Sequence, residues 1–144
     1  RVRDVWSLTP GFNFNRKGGT NKVGLKVEDQ DFLGRGELVS LYETETFDQA
    51  VELVRQECQL AVVTTGADGC LIIGGDEIVS VPAQPVTEVL DTTGAGDLFA
   101  AGFLYGFTRG MALAECGRLG SLAAAEVISH VGPRPLVELR TLLV

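Results

Sequence analysis

A glycine-rich segment in the second half of the chain, Asp91-Thr-Thr-Gly-Ala-Gly-Asp97, limits the choice of fold more than any other feature. The apolar residues after it recur at helical spacing and predict a helix over residues 97–109. Gly94 and Gly96 permit backbone conformations that other residues avoid, and they keep side chains away from an approaching group. Because the unpaired N–H groups of a first helical turn attract anions, the segment predicts a phosphate site.

Asp97 would lie beside this anion site, and the spacing alone leaves two roles open for it. As a helix cap, its carboxylate would contribute about 1 kcal/mol to the stability of the helix. As a general base, it would accept the proton of a hydroxyl group that attacks the bound phosphate. Positioning and charge stabilisation do most of the work in phosphoryl transfer, so a hydroxyl, an aligned phosphate and a nearby carboxylate are the minimum set.

The pattern of the remaining chain from residue 37 onward is that of an α/β domain. Thr46 and Gln49 have the spacing of a capping box, and the apolar residues after them predict a helix to about Glu57. Residues 60–65 form a β-branched run that is typical of a buried parallel strand. We also predict a hairpin with strands at residues 71–73 and 78–81, a helix at 113–129 and a short final helix at 136–143. Together these elements predict helices layered over a mostly parallel sheet.

The first 36 residues have little periodicity and predict a loop, with at most one weak strand over residues 22–27. Residues 1–26 hold six of the twelve basic residues and one acid, whereas residues 27–144 hold six basic residues and eighteen acids. This basic start is either a nucleic-acid arm or a solvated or non-native extension, and the net charge of −7 argues against nucleic acid. Met111 is the only methionine, so the chain does not begin at an ordinary start codon. It is either a fragment or a processed protein, and we expect a fragment.

Hydropathy and cysteine spacing indicate the compartment. No apolar run is long enough to span a bilayer, and no signal-peptide pattern opens the chain. The three cysteines, Cys58, Cys70 and Cys116, lack the spacing of a zinc or redox site. We therefore expect small buried thiols, a cytoplasmic location and no membrane partner.

Two aromatic or titratable features have both a structural and a functional interpretation. Phe99, Phe103 and Phe107 recur at helical spacing, which favours a core stripe over a platform for stacking bases. His130 is the only histidine, and no partner or cleft for a catalytic imidazole is visible in the sequence. The sequence therefore favours a loop position at which His130 contributes main-chain groups and not its imidazole ring.

The string from Asp91 to Gly102 resembles the second signature of the PfkB carbohydrate kinase family, which includes ribokinase, fructokinase and adenosine kinase. Residues 63–69 look like the family's strand and turn beside the nucleotide, and residues 123–132 look like its helix and loop over the adenine. Residues 118–135 look closest to bacterial adenosine-kinase-like members.

This resemblance implies a ribokinase-like three-layer α/β/α fold, with only its C-terminal nucleotide-binding portion and a β-hairpin present. Residues 37–144 would form that portion. Residues 1–36 do not resemble the family and are expected to be an irregular or non-native N-terminal segment. The substrate-binding residues of the family lie mainly in the half that the chain lacks.

The resemblance also assigns roles to individual residues. Asp97 would be the catalytic base, and the anion hole would be formed by its own amide and by those of Gly94, Ala95 and Gly96. ATP would border Thr65, Gly66, Gly69, Ser121 and Ala124. A monovalent cation, often potassium, would bind near Asp91, Thr93, Val127, His130 and Gly132. Glu37 would organise magnesium through water, although Gly34 stands where the family has asparagine.

The expected function is an ATP-dependent phosphotransferase that acts on a hydroxymethyl group of a nucleoside or sugar, with adenosine favoured. Two alternatives are a ribose or fructose kinase of the same family and an inactive nucleotide-binding fragment. The expected partner is a small-molecule substrate rather than nucleic acid or a membrane. The assembly state is open, with a homodimer as one option.

Overall fold

The computed structural model describes the backbone of residues 5–9, 13–17, 25–27 and 30–143, and the side chains from residue 35 onward except that of residue 37. The strands are β1 (Val5–Thr9), β2 (Asn13–Lys17), β3 (Leu25–Val27), β4 (Gln30–Gly34), β5 (Leu60–Thr64), β6 (Cys70–Gly74) and β7 (Glu77–Val81). The helices are α1 (Arg35–Tyr42), α2 (Phe47–Glu57), α3 (Ala95–Phe107) and α4 (Leu113–Ile128), with 3-10 segments at Gly66–Asp68 and Leu139–Leu143.

Within the described residues, the strands form one sheet in the order β2-β1-β3-β4-β5-β6-β7. β1 is antiparallel to β2 and parallel to β3, and β3 is antiparallel to β4. β4 and β5 are parallel, in a register that runs from Gln30 opposite Leu60 to Gly34 opposite Thr64. A parallel pair requires a crossover, and here α1 and α2 supply it.

The prediction of a loop with one weak strand over residues 1–36 is wrong, because four strands occur there and α1 begins at Arg35. The predicted strand at residues 22–27 is present only as Leu25–Val27, and residues 22–24 lie outside the described residues. Strand formation depends on pairing with neighbours that are distant in sequence. The alternation of apolar and polar residues is weak here, so the sequence did not predict these strands. The division of the chain at residue 36 stays a prediction.

The chain divides into two compact units, Arg1–Thr65 with Leu71–Val79 and Gly66–Cys70 with Ser80–Val144. In the first unit, the Thr46 hydroxyl accepts from the Gln49 N–H and the Gln49 side chain accepts from the Thr46 N–H, both at 3.3 Å. This capping box starts α2 as predicted. The apolar face of α2, formed by Ala50, Val51 and Val54, then joins a core with residues from α1, β5 and β6, which are Leu38, Ala61, Val63 and Ile73.

In the second unit, α3 and α4 approach each other closely through glycine. A Cβ atom added at Gly102 would lie 2.5 Å from the Leu119 carbonyl oxygen, and one added at Gly120 would lie 2.8 Å from the Phe99 carbonyl oxygen. Phe99 and Phe103 are both buried, so the predicted core stripe is confirmed for them. α3 begins at Ala95, two residues before the predicted start.

Three other predictions can be compared with the structure. The hairpin is confirmed as β6 and β7, which are joined by Gly75 and Asp76. The final helix at residues 136–143 is wrong, since only a 3-10 segment at Leu139–Leu143 forms; so short a helix is marginal without stronger packing. The three cysteines are buried as expected, and burial raises the pKa of the Cys70 thiol to about 11.

Among the described residues, no helix is long and apolar enough to cross a membrane.

Candidate active site

Gly94 turns the chain into α3 and accepts the first hydrogen bond of the helix. It is the N-cap residue with φ +81°, and its carbonyl oxygen accepts from the Leu98 N–H at 2.9 Å. A side chain at this position would be strained by the left-handed backbone. It would also meet Pro133, because an added Cβ would lie 2.9 Å from the Pro133 Cβ. Both reasons make glycine necessary here.

The main-chain amides at the start of α3 are mostly unused. Among the described residues, the N–H groups of Gly94, Gly96 and Asp97 have no hydrogen-bond acceptor. The Ala95 N–H donates to the Thr92 carbonyl oxygen at 3.2 Å, and its assignment to the anion hole stays a prediction. Three donors therefore stay available at the positive end of the helix dipole.

Asp97 lies in the first turn of α3, and its side chain is exposed. Its carboxylate forms no hydrogen bond or ion pair with any described residue, and the N-cap position belongs to Gly94. The geometry therefore does not favour the capping role that the spacing left open. The carboxylate is free to accept a proton from a bound group.

Asp91 closes the loop by accepting three hydrogen bonds. Its Oδ1 atom accepts from the Thr93 hydroxyl at 2.6 Å and from the Thr93 N–H at 2.9 Å, and its Oδ2 atom accepts from the Gly132 N–H at 2.9 Å. The hydroxyl of Thr93, followed by the two N–H donors, lowers the pKa of the Asp91 carboxyl to about 2. Asp91 is therefore an anion throughout the neutral range.

The residues predicted to surround a monovalent cation lie in the second unit. The Asp91 carboxylate and Thr93 hydroxyl are joined to the end of α4 through Gly132, and Val127 is fully buried. Carboxylate, hydroxyl and carbonyl oxygens suit a hard cation. Among the described residues, no group of three or more His, Cys, Asp or Glu side chains could hold a metal ion.

The residues predicted to border ATP have different environments. Gly66 is exposed with φ +63°, whereas Gly69 is buried with φ +101° and an added Cβ would overlap the Val81 carbonyl. Ser121 is only 7% exposed, and Ala124 is half-buried on the same helix. Thr65 follows β5 in the first unit. Gly69 therefore has a packing role of its own, and Gly66 is the more accessible of the two turn glycines.

The predicted magnesium residue cannot be compared with the structure. Glu37 lies in α1, but its side chain is outside the described residues. Its assignment stays a prediction.

Sequence reasoning missed Glu126 and Pro133. Glu126 Oε1 accepts from the Leu136 N–H at 2.9 Å and lies 3.2 Å from His130 Nε2. The spacing of Glu126 and His130 at i and i+4 was a usable signal for a helix-surface pair. The contacts with Leu136 and between Pro133 and Gly94 join segments apart in the chain, and local spacing carries no signal for them.

Solved structures share this α/β arrangement. An adenosine kinase from Sinorhizobium meliloti is 52% identical with a TM-score of 0.78, and the match covers 80% of this chain and 35% of that chain. A probable sugar kinase from Rhizobium etli is 47% identical with a TM-score of 0.78, covering 79% of this chain and 34% of that one. The fold is therefore the predicted ribokinase-like α/β fold, present as a portion.

Residues 32–139 match the pfkB family carbohydrate kinases, and the chain belongs to that family. An uncharacterised sugar kinase from Archaeoglobus fulgidus is 37% identical over 133 residues. That match covers 91% of this chain and 52% of the relative, so the chain spans about half the length of this curated relative. The predicted family resemblance is confirmed.

Proposed function

We propose that the chain is the nucleotide-binding portion of an ATP-dependent kinase that phosphorylates a hydroxymethyl group of a nucleoside or sugar. The observation that carries the proposal is the start of α3. There the N–H groups of Gly94, Gly96 and Asp97 and the exposed Asp97 carboxylate have no partner among the residues that the structure describes. Donors that are already oriented stabilise charge as it develops on a transferring phosphoryl group.

The reaction would proceed as a direct transfer. The three N–H groups would hold the oxygens of the γ-phosphate while Asp97 accepts the proton of the substrate hydroxyl. The hydroxyl oxygen forms a bond to the γ-phosphorus, and the bond from that phosphorus to the bridging oxygen breaks and releases ADP.

Cations would complement these groups. Asp91 and Thr93, with main-chain groups near Val127, His130 and Gly132, would hold a monovalent cation, and Glu37 would contribute to magnesium binding through water. Such ions supply positive charge that offsets the charge of the phosphates.

Adenosine is the favoured substrate, since the adenosine kinase of Sinorhizobium meliloti is 52% identical to this chain. A sugar is the second candidate, because the Rhizobium etli relative at 47% identity is described as a probable sugar kinase. A third candidate is nucleotide binding without turnover, since the match with the Archaeoglobus relative covers 52% of that relative. In that case ATP would bind and no acceptor would be phosphorylated.

The test is ADP production by the purified protein with adenosine, ribose or fructose as acceptor, together with direct measurement of ATP binding. Asp97→Asn should lower kcat by a factor on the order of 10²–10⁴ while ATP still binds. Asp48→Asn is the matched control, because Asp48 is also an exposed acid in a first helical turn. Full activity of Asp97→Asn would refute the base assignment, and ATP binding without turnover would favour the third candidate.

A further inference from the structure

The turn after α4, residues 129–136, contacts the glycine-rich loop at two points. The Gly132 N–H donates to Asp91 Oδ2 at 2.9 Å. The adjacent Pro133 lies against Gly94, so closely that an added Cβ at Gly94 would be 2.9 Å from the Pro133 Cβ. The position of this turn therefore affects both the carboxylate at the start of the loop and the N-cap of α3.

Glu126 holds the turn on both sides of these contacts. Its Oε1 atom accepts from the Leu136 N–H at 2.9 Å, and it lies 3.2 Å from His130 Nε2. Because a carboxylate can only accept, the ring donates through Nε2–H. Glu126 Oε1 thus contacts His130, which precedes Gly132 and Pro133 in the chain, and Leu136, which follows them.

The burial of Glu126 is unusual for a carboxylate with so few partners. Its side chain is 10% exposed and that of His130 is 14% exposed. The Oε2 atom is buried, and it has no hydrogen-bond partner among the described residues. An unpaired buried oxygen of this kind opposes folding, so a gain in stability does not account for it well.

We propose that Glu126 is a positioning residue for the kinase site. Through His130 and Leu136 it holds residues 129–136 so that Gly132 orients Asp91 and Pro133 supports Gly94. It touches neither the phosphate nor the acceptor hydroxyl. This inference rests on the proposed function for its catalytic consequence, while its structural part can be tested without any substrate.

The structural part is tested by amide hydrogen exchange at Gly132, measured by NMR without ATP. Glu126→Ala should accelerate exchange at Gly132 about ten-fold or more, because the turn loses its anchor and opens locally. Glu126→Gln keeps an acceptor oxygen but loses the charge, so a smaller acceleration of about two- to five-fold is expected. Glu115→Gln is the matched control, since Glu115 lies on the same helix with a 43% exposed side chain paired to Arg118.

The catalytic part is tested by the same variants in the ADP assay. Glu126→Ala should raise KM for ATP about five-fold or more and lower kcat, whereas Glu115→Gln should change neither. Unchanged Gly132 exchange would overturn the proposal, and Glu126→Gln alone decides this if the alanine variant does not fold. Faster amide exchange at Gly132 with unchanged KM and kcat would also overturn the proposal, because Glu126 would then have a structural role only. Absence of turnover in the wild type would defeat the proposed kinase activity, and the exchange rates would still decide whether Glu126 orders the turn.

Discussion

The N–H of Gly132 donates to the carboxylate of Asp91 at 2.9 Å, although 41 positions separate the two residues in the chain. This hydrogen bond joins the end of α4 to the loop that starts α3. The two segments meet because α3 and α4 pack through glycines, which bring their backbones into direct contact. The candidate phosphate site is therefore a product of the helix pair and not of the loop alone.

Asp91 should contribute to stability only where it is ionised. Its pKa is about 2, lowered from an ordinary value of 3.8, so its contribution is present above about pH 4 and is lost as the pH falls toward 2. We expect Asp91→Asn to melt at a lower temperature than the wild type at neutral pH. The difference in Tm between the two should shrink as the pH is lowered below about 4. Thermal melts from pH 7 to about pH 2 measure this.

The exposed acid Asp48 supplies the control for this experiment. Asp48→Asn should differ little from the wild type across the same range, since its exposed carboxylate accepts no hydrogen bond from any described residue. A difference in Tm for Asp91→Asn that stays constant down to pH 2 would contradict the assignment of its low pKa.

Gly94→Ala and Gly96→Ala should separate the folding and binding roles of the loop glycines. Gly94 has φ +81° and lies against Pro133, so alanine should lower the free energy of unfolding by at least about 1–2 kcal/mol. A Cβ at Gly96 would meet no atom of the described part of the chain within 4 Å, so Gly96→Ala should fold with nearly wild-type stability. Because that Cβ would stand at the free amides, its expected effect is a higher KM for ATP.

Urea denaturation and ATP titration distinguish these two outcomes. Equal stability loss in both glycine variants would refute the geometric difference between the positions. Unchanged ATP affinity in Gly96→Ala would argue against a phosphate at the start of α3.

Gly102→Ala should weaken the packing of α3 on α4 without touching the proposed chemistry. A Cβ there would lie 2.5 Å from the Leu119 carbonyl oxygen, a main-chain atom that cannot rotate away. We expect a loss of about 1–3 kcal/mol in the free energy of unfolding, as for other overpacked interiors. Gly36→Ala is the control, because Gly36 is helical and an added Cβ there would meet no described atom within 4 Å. A stability loss no larger than that of the control would contradict the close helix contact.

Local residue chemistry was sufficient for several elements of the fold. The Thr46 and Gln49 capping box, the strand at Leu60–Thr64 and the hairpin all follow from residues within a few positions of one another. The strands before residue 35 did not, because their pairing partners lie elsewhere in the chain. The same distinction applies to the site, where the turn at Gly94 was predictable and the contact with Pro133 was not.

The amino-acid sequence by itself determined the local part of this protein's site: a glycine turn that starts a helix, with Asp97 in the first helical turn. Steric freedom at glycine and unpaired amides at a helix start are properties of neighbouring residues, so sequence was enough to predict them. Only the tertiary structure decided that the Gly132 N–H donates to Asp91, that Pro133 lies against Gly94 and that the Leu136 N–H donates to Glu126. The first two contacts join the turn after α4 to the loop before α3, and the third joins residues ten positions apart, so the local spacing of residues specifies none of them.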